Sequence, residues 1–426
     1  MNADASQNLS ERLFSQQNTS SRVVETSTIS NSNPLNEYVP MEQNVIDGLC
    51  SPAWYRVLRR IFWIRQGADP IELESVLAKI ATSTNPRTYD QLLDTVQGFV
   101  PGNWSYEWSQ LAGQYQRQGK DAEDSRQYRS ARKYYFQAAC YYSLASYPHL
   151  RGDVLAEQAQ VLANKAYRDG GRLLSIPLKE IEVPFHGKNI KGYLHLPHDD
   201  HVVPVMMVTG AMDTLQIDHR VLFEKVLAPL GIAMLSLDLP GCGYASTWPL
   251  IQDTSRLHQA VLHHLKTVPW IDDQQIGMLG FRLGGNVAVR LAYLEPLRLK
   301  TVISIGAGVH QYFTNATNFH QSPPMMRACL ANRLNMDAAN WDELQKSCQA
   351  FSLKRQGLAG VTRTRVPILS IGHRRDFICP ESDIDMLAAS SINGKAVMMD
   401  KETIQQQSDR VFREISDWLR LHFSLS

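Results

Sequence analysis

One short stretch constrains this chain more than any other: Gly280-Phe281-Arg282-Leu283-Gly284, with Gly285 next. It follows an apolar run, Ile276 to Leu279, and precedes a helical pattern, Asn286 to Leu294. A buried strand that turns at once into a helix places the apex residue in a sharp, strained conformation. The positions flanking the apex must then be small. Glycines meet that demand here, and the apex is arginine. The Arg282 guanidinium stays protonated at neutral pH and offers no nucleophilic atom. It also sits where a helix N-terminus is electropositive, so an anion is needed opposite it. Two readings follow. In one, Arg282 pairs with a nearby carboxylate and plugs the turn. In the other, Arg282 and the helix N-terminus together bind a carboxylate or an oxyanion.

The pattern around this turn is repeated. Short apolar runs at Val205 to Val208, Ala233 to Leu237, Val302 to Ile305, Ile368 to Ile371 and Ala396 to Met399 alternate with helical segments. Each run is bounded by Gly, Pro or Asp, which reads as buried parallel strands. Before them, Ile181, Val183 and Phe185 alternate, Gly187 turns the chain, and Ile190, Leu194 and Leu196 follow, predicting a β-hairpin. An amphipathic helix carrying Val411, Ile415, Trp418 and Leu419 closes the chain. Residues 315–360 interrupt the alternation as a helical insertion between the sixth and seventh strands.

Upstream of residue 176 the texture is different. Residues 1–48, rich in Ser, Thr, Asn and Gln, read as a disordered tail. Residues 49–175 read as a wholly helical domain. Trp54, Leu58, Ile61 and Ile64 recur at helical spacing, as do Tyr134, Ala138, Tyr141 and Tyr142 and then Leu155, Ala159, Leu162 and Ala166. Asp69-Pro70 and Tyr147-Pro148 punctuate the helices. The stripe Trp104, Tyr106, Trp108 is expected to be helix-packing core. With 43 Lys plus Arg against 42 Asp plus Glu, the chain has no charge excess to attract nucleic acid or anionic lipid. Its 6 cysteines lack metal or redox spacing, and no apolar run is long enough to span a membrane. The expectation is a cytoplasmic protein with no metal and no cofactor.

Strand, sharp turn and helix in this order resemble the nucleophile elbow of the α/β-hydrolase fold, a mostly parallel sheet flanked by helices, here preceded by an all-helical domain. In that fold a catalytic serine occupies the place of Arg282. The turn Val208-Thr209-Gly210-Ala211-Met212-Asp213 stands where such enzymes bind an oxyanion, so the backbone N–H groups of Ala211 and Leu283 are the candidate donors. Asp213 is a candidate partner of Arg282 or a helix cap. Asp376, after the strand Ile368 to Ile371, is the candidate triad acid. The triad histidine should lie near Asp400 to Ser408, and none is there. His310 and His373 are the histidines placed to reach the pocket, His310 being the candidate for a role in it. Ser246 as a replacement nucleophile lacks an evident base beside it.

The sequence also resembles one family closely, the fermentation-respiration switch (FrsA) esterases. The resemblance is carried by the run from Gly280 through Asn286 and Arg290 to Glu295, by Gly102-Asn103-Trp104-Ser105-Tyr106-Glu107-Trp108, by Tyr147-Pro148-His149-Leu150, by Ser255-Arg256-Leu257-His258 and by Phe351-Ser352-Leu353-Lys354. It covers nearly the whole chain after the tail, and the arginine elbow itself is shared. Where the family has Pro-Ser-Val-Gly this chain has Pro240-Gly241-Cys242-Gly243, and where it has Asp-Pro this chain has Asp376-Phe377. The resemblance implies carboxylic-ester hydrolysis and a regulatory partner, the glucose-specific IIA component of the sugar phosphotransferase system. The residues alone allow two functions. One is an enzyme on small esters in which Arg282 polarises a carbonyl and water attacks. The other is a catalytically degenerate hydrolase that senses a small carboxylate and binds a regulatory protein of carbon metabolism.

Overall fold

Eight strands of the described residues pair in the order β1-β2-β4-β3-β5-β6-β7-β8. The computed structural model describes residue 51, residues 53–400 and residues 402–423; the stretch expected as a tail over 1–48 lies outside the described residues. The strands are β1 (Lys179–Phe185), β2 (Lys188–His195), β3 (Val203–Thr209), β4 (Ala233–Leu237), β5 (Ile271–Phe281), β6 (Leu299–Ile305), β7 (Ile368–His373) and β8 (Gly394–Met399). β1 and β2 form the expected hairpin, turned by His186 and Gly187, whose φ angles of 47° and 77° give the two-residue connection that suits a twisted antiparallel pair. β2 pairs antiparallel with β4, and all the pairs beyond are parallel.

Register places the site. Thr209 lies beside both Leu237 and Gly280, Phe281 beside Ile305, and Ile305 beside Ile371. The C-terminal ends of β3, β5, β6 and β7 therefore stop at one level, where open α/β sheets bind their ligands.

Helices α1 (Arg60–Gln66), α2 (Pro70–Ala81), α3 (Trp104–Asp124), α4 (Tyr128–Ser146) and α5 (Val154–Gly171) precede the sheet. Asp69 caps α2 through the N–H groups of Ile71 and Glu72, with Pro70 in the first turn, as its sequence signal predicts. Asn103 and Asp153 cap α3 and α5 in the same way. Two longer parts of the region are not helical, contrary to the expectation of a wholly helical domain. Trp54 to Leu58 precede α1 without helix, because the Asp94 carboxylate takes the backbone N–H groups of Tyr55 and Arg56 at 2.8 and 3.0 Å. Residues 82–103 also lack helix and carry a bridge between Arg87 and Val96. Gly98 and Gly102 there hold φ of 73° and 88°, which no right-handed helix accommodates. Trp104 and Trp108 are buried in helix packing.

α6 (Arg256–His264) follows β4, and α7 (Leu283–Leu294) follows β5. Between β6 and β7 come α8 (Gln311–Thr314), α9 (Ala316–His320), α10 (Pro324–Leu334) and α11 (Trp341–Cys348). α12 (Glu381–Ala389) and α13 (Ile404–His422) follow β7 and β8. One buried apolar cluster joins Trp63, Trp104 and Trp108 to Val205 and Val302 of the sheet. On the other side Val208, Leu279 and Ile303 pack against Val411, Ile415, Trp418 and Leu419 of α13. Each such side chain contributes roughly 1.5–3 kcal/mol by burial, which is what fixes helices of mixed composition to the sheet.

Candidate active site

The elbow is built by close approach of backbone. Arg282 has φ 52° and ψ −118°, in a region that side-chain-bearing residues rarely enter. A Cβ on Gly280 would lie 2.0 Å from the Gly284 carbonyl oxygen, and one on Gly284 would lie 2.5 Å from that of Gly210. Both glycines are thus required by space, and the Gly284 N–H donates to the Gly210 carbonyl at 3.2 Å, locking the elbow to the turn after β3.

The apex side chain points to a carboxylate. Arg282 Nη1 lies 2.5 Å from Asp376 Oδ2 and donates to the Gly306 carbonyl at 2.7 Å, with both side chains buried. Asp376 stands after β7, where the sequence placed it. Its Oδ1 accepts the N–H groups of Ile378 and Cys379 at 2.9 and 3.2 Å. The anion that a cation at a helix N-terminus requires is therefore supplied by the chain itself.

Asp213 does not act as a helix cap. It lies in a turn, and its Oδ2 pairs with Arg59 Nη2 at 2.8 Å, both side chains buried. Arg59 immediately precedes α1, a partner that nothing local to Asp213 reveals. The same turn is gripped from the insertion. Arg333 of α10 donates to the Met212 carbonyl from Nε at 3.0 Å and from Nη2 at 2.7 Å, and to the carbonyls of Pro148 and His149 at 3.2 and 2.9 Å. The turn after β3 is thus held by the N-terminal segment on one side and the insertion on the other. The N–H groups of Ala211 and Leu283 find no acceptor among the described residues.

His310 corrects the sequence reading. It borders neither cleft at the elbow. Its Nδ1 is engaged with Ser352 Oγ at 2.8 Å and its backbone N–H with Asp383 at 2.9 Å, so it braces the start of α8. Burial, then Lys354 and Arg355, depress its pKa. His373 is buried at the end of β7, where its Nδ1 accepts the Arg375 N–H at 3.3 Å, and it too lies outside both clefts. Ser246 borders neither cleft.

Two clefts meet at Arg282, Ala211 and Arg59. The smaller, of about 430 Å³, runs under the insertion and is lined by Met212, Tyr312, Phe313, Met326 and Leu330. The larger, of about 810 Å³, opens between α1, residues 214–222 and α13. Its walls include Phe62, Arg65, Asp218, His219, Phe281 and Ser408. His219 is the histidine that sequence reasoning missed. Its ring lies flat on Phe281 at 5.5 Å, its Nε2 has no hydrogen-bond partner among the described residues, and burial pushes its pKa down to about 4, so it is neutral near pH 7. Burial pushes Asp218 up to about 6 although Leu215 N–H and Ser143 Oγ donate to it. The signal was available: His219 follows the oxyanion turn within one short helical segment. The tightest metal-ligating cluster among the described residues, His198, Asp200 and His201, follows β2, at the sheet edge opposite the elbow.

Sheet order, the glycine-flanked elbow after β5, the turn locked to it after β3 and the carboxylate after β7 together define an α/β-hydrolase. Solved structures share this fold: a 2,6-dihydroxy-pseudo-oxynicotine hydrolase superposes with TM-score 0.69 at 19% identity, covering 85% of this chain and 95% of that one. AbyA5 superposes with TM-score 0.60 at 20% identity, covering 82% and 93%. The chain belongs to the FrsA-like esterases, whose family model matches residues 4–423, and is thus a hydrolase of the esterase type. It is 42% identical to an Esterase FrsA of Vibrio cholerae over 422 residues, 98% of this chain and 99% of that one. It is 40% identical to an Esterase FrsA of Photobacterium profundum over 377 residues, 88% and 90%. No helix among the described residues is long and apolar enough to cross a membrane.

Proposed function

We propose that this chain hydrolyses carboxylic esters by direct attack of water, with no acyl-serine intermediate. The observation that carries the reading is Arg282 at the apex of the elbow, anchored by Asp376 and the Gly306 carbonyl. An ester carbonyl oxygen set against the N–H groups of Ala211 and Leu283 and the rim of the guanidinium gains negative charge as water adds, and these donors stabilise it. The water oxygen bonds to the carbonyl carbon, the ester C–O bond breaks, and the alcohol leaves with the water's proton. Asp213 is a positioning residue, acting through Arg59 on the oxyanion turn. Electrostatic stabilisation without a nucleophile gives roughly 10³- to 10⁴-fold acceleration. Turnover is therefore slow and linear from the first cycle.

The test is hydrolysis of short-chain p-nitrophenyl esters by stringently purified wild type and Arg282→Ala. The reading expects linear turnover without a burst, reduced about a hundredfold in the variant. A burst, or an organophosphate adduct on a particular serine such as Ser246, overturns it. The closed Arg282–Asp376 pair favours a second reading, a degenerate hydrolase that senses a small carboxylate. Loss of all turnover on stringent purification, with carboxylate binding seen by calorimetry, selects it.

A further inference from the structure

Beyond its two paired arginines, the larger cleft carries one cation, Arg65, and one carboxylate, Asp218. Of the arginines lining it, Arg59 is paired with Asp213 and Arg282 with Asp376. Arg65, in the last turn of α1, has no hydrogen-bond or ion-pair partner among the described residues. Its guanidinium lies over the Phe412 ring at 5.5 Å and is half-buried. Burial depresses its pKa, and Asp409 offsets only part of that. The apolar part of the same lining is Phe62, Leu222, Phe281, Val411 and Phe412, among others. Two buried polar atoms in the same lining also lack hydrogen-bond partners among the described residues, His219 Nε2 and Ser408 Oγ. Buried polar groups are nearly always satisfied, so atoms left open in a cleft wall are what a ligand completes. Asp218, which also faces the cleft, is already engaged by Leu215 N–H and Ser143 Oγ.

We propose that this cleft takes an ester whose acyl chain ends in a free carboxylate, a half-ester of an aliphatic dicarboxylic acid, with Arg65 binding the carboxylate while the ester carbonyl lies at Arg282. This rests on the hydrolytic reading above and names its substrate class. A planar guanidinium at the end of an apolar channel recognises a carboxylate by paired N–H donors, while the methylene chain fills the channel.

The test compares mono-p-nitrophenyl adipate with p-nitrophenyl hexanoate, which have equal chain length and differ in the terminal carboxylate. Wild type should prefer the adipate ester by roughly tenfold or more in kcat/KM, the difference residing in KM. Arg65→Gln should abolish the preference, and Arg65→Lys should keep part of it. Unchanged melting temperatures show that the half-exposed substitutions fold. Calorimetry with adipate, free of turnover, should show binding to wild type weakened by a similar factor in Arg65→Gln. No preference in wild type, or a preference that survives in Arg65→Gln, overturns the assignment. Arg65-dependent binding of adipate without hydrolysis of either ester supports it and overturns the hydrolytic reading instead.

Discussion

Asp376 braces Arg282 from below the elbow: one carboxylate oxygen lies 2.5 Å from Nη1 of the guanidinium, and the other takes the backbone N–H groups of Ile378 and Cys379. The carboxylate thus joins the loop after β7 to the apex of β5. Replacing it leaves a buried cation short of its counter-charge. Asp376→Asn should lose about 3 kcal/mol of stability by urea denaturation. A loss below about 1 kcal/mol would mean that the pair contributes little to holding the elbow.

Arg59 and Asp213 form a second buried pair. Each single substitution, Arg59→Met or Asp213→Asn, should destabilise by about 3 kcal/mol by leaving the other charge buried. The double variant should recover a good part of that loss, which a double-mutant cycle measures as coupling. Strict additivity would show that the two side chains act separately.

Restoring the missing serine should not restore a triad. Arg282→Ser places a hydroxyl at the elbow, but the loop after β8 holds no histidine and His310 is turned to Ser352. A serine without a base stays a weak nucleophile. Fluorophosphonate labelling of Arg282→Ser should match that of wild type. Stoichiometric labelling would reveal a base in reach, with His219 the residue to substitute next.

His258 is buried in α6, neither ring nitrogen has a hydrogen-bond partner among the described residues, and burial pushes its pKa down to about 3 from the ordinary 6.5. Folding therefore keeps it neutral while the unfolded chain protonates it below pH 6.5. Its stabilising share is complete above that pH and is lost as pH falls toward 3, on the order of 1.4 kcal/mol per pH unit. His258→Leu should thus melt at a higher temperature than wild type by a margin that widens from pH 7 to pH 4.5. A margin that stays constant with pH would show that His258 is protonated in the folded state.

Much of the fold was legible because local patterns and tertiary demand agreed. The alternating runs became β3 to β8, Thr403 and Gln406 form a capping box that opens α13, and Asp69-Pro70 opens α2. Misreadings came where a distant side chain overruled periodicity. Trp54 and Leu58 keep helical spacing, yet Asp94 takes the N–H groups of Tyr55 and Arg56 and holds the backbone out of a helix. His310 sits after the expected strand, yet Ser352 turns its ring away from the clefts.

By itself the sequence determined the chemistry at the apex. The glycines of the elbow leave no other turn for that strand and helix, and an arginine there cannot be acylated. It also determined that the stretch from Asp400 to Ser408, just after the last strand, holds no histidine. Only the tertiary structure decided which charges meet. Arg59 reaches Asp213, Arg333 reaches Met212, and Arg65, beside Phe412, has no hydrogen-bond or ion-pair partner among the described residues. The reason is physical. A turn is set by the few residues that share its backbone, whereas an ion pair between residues 154 positions apart is set by the packing of every element between them.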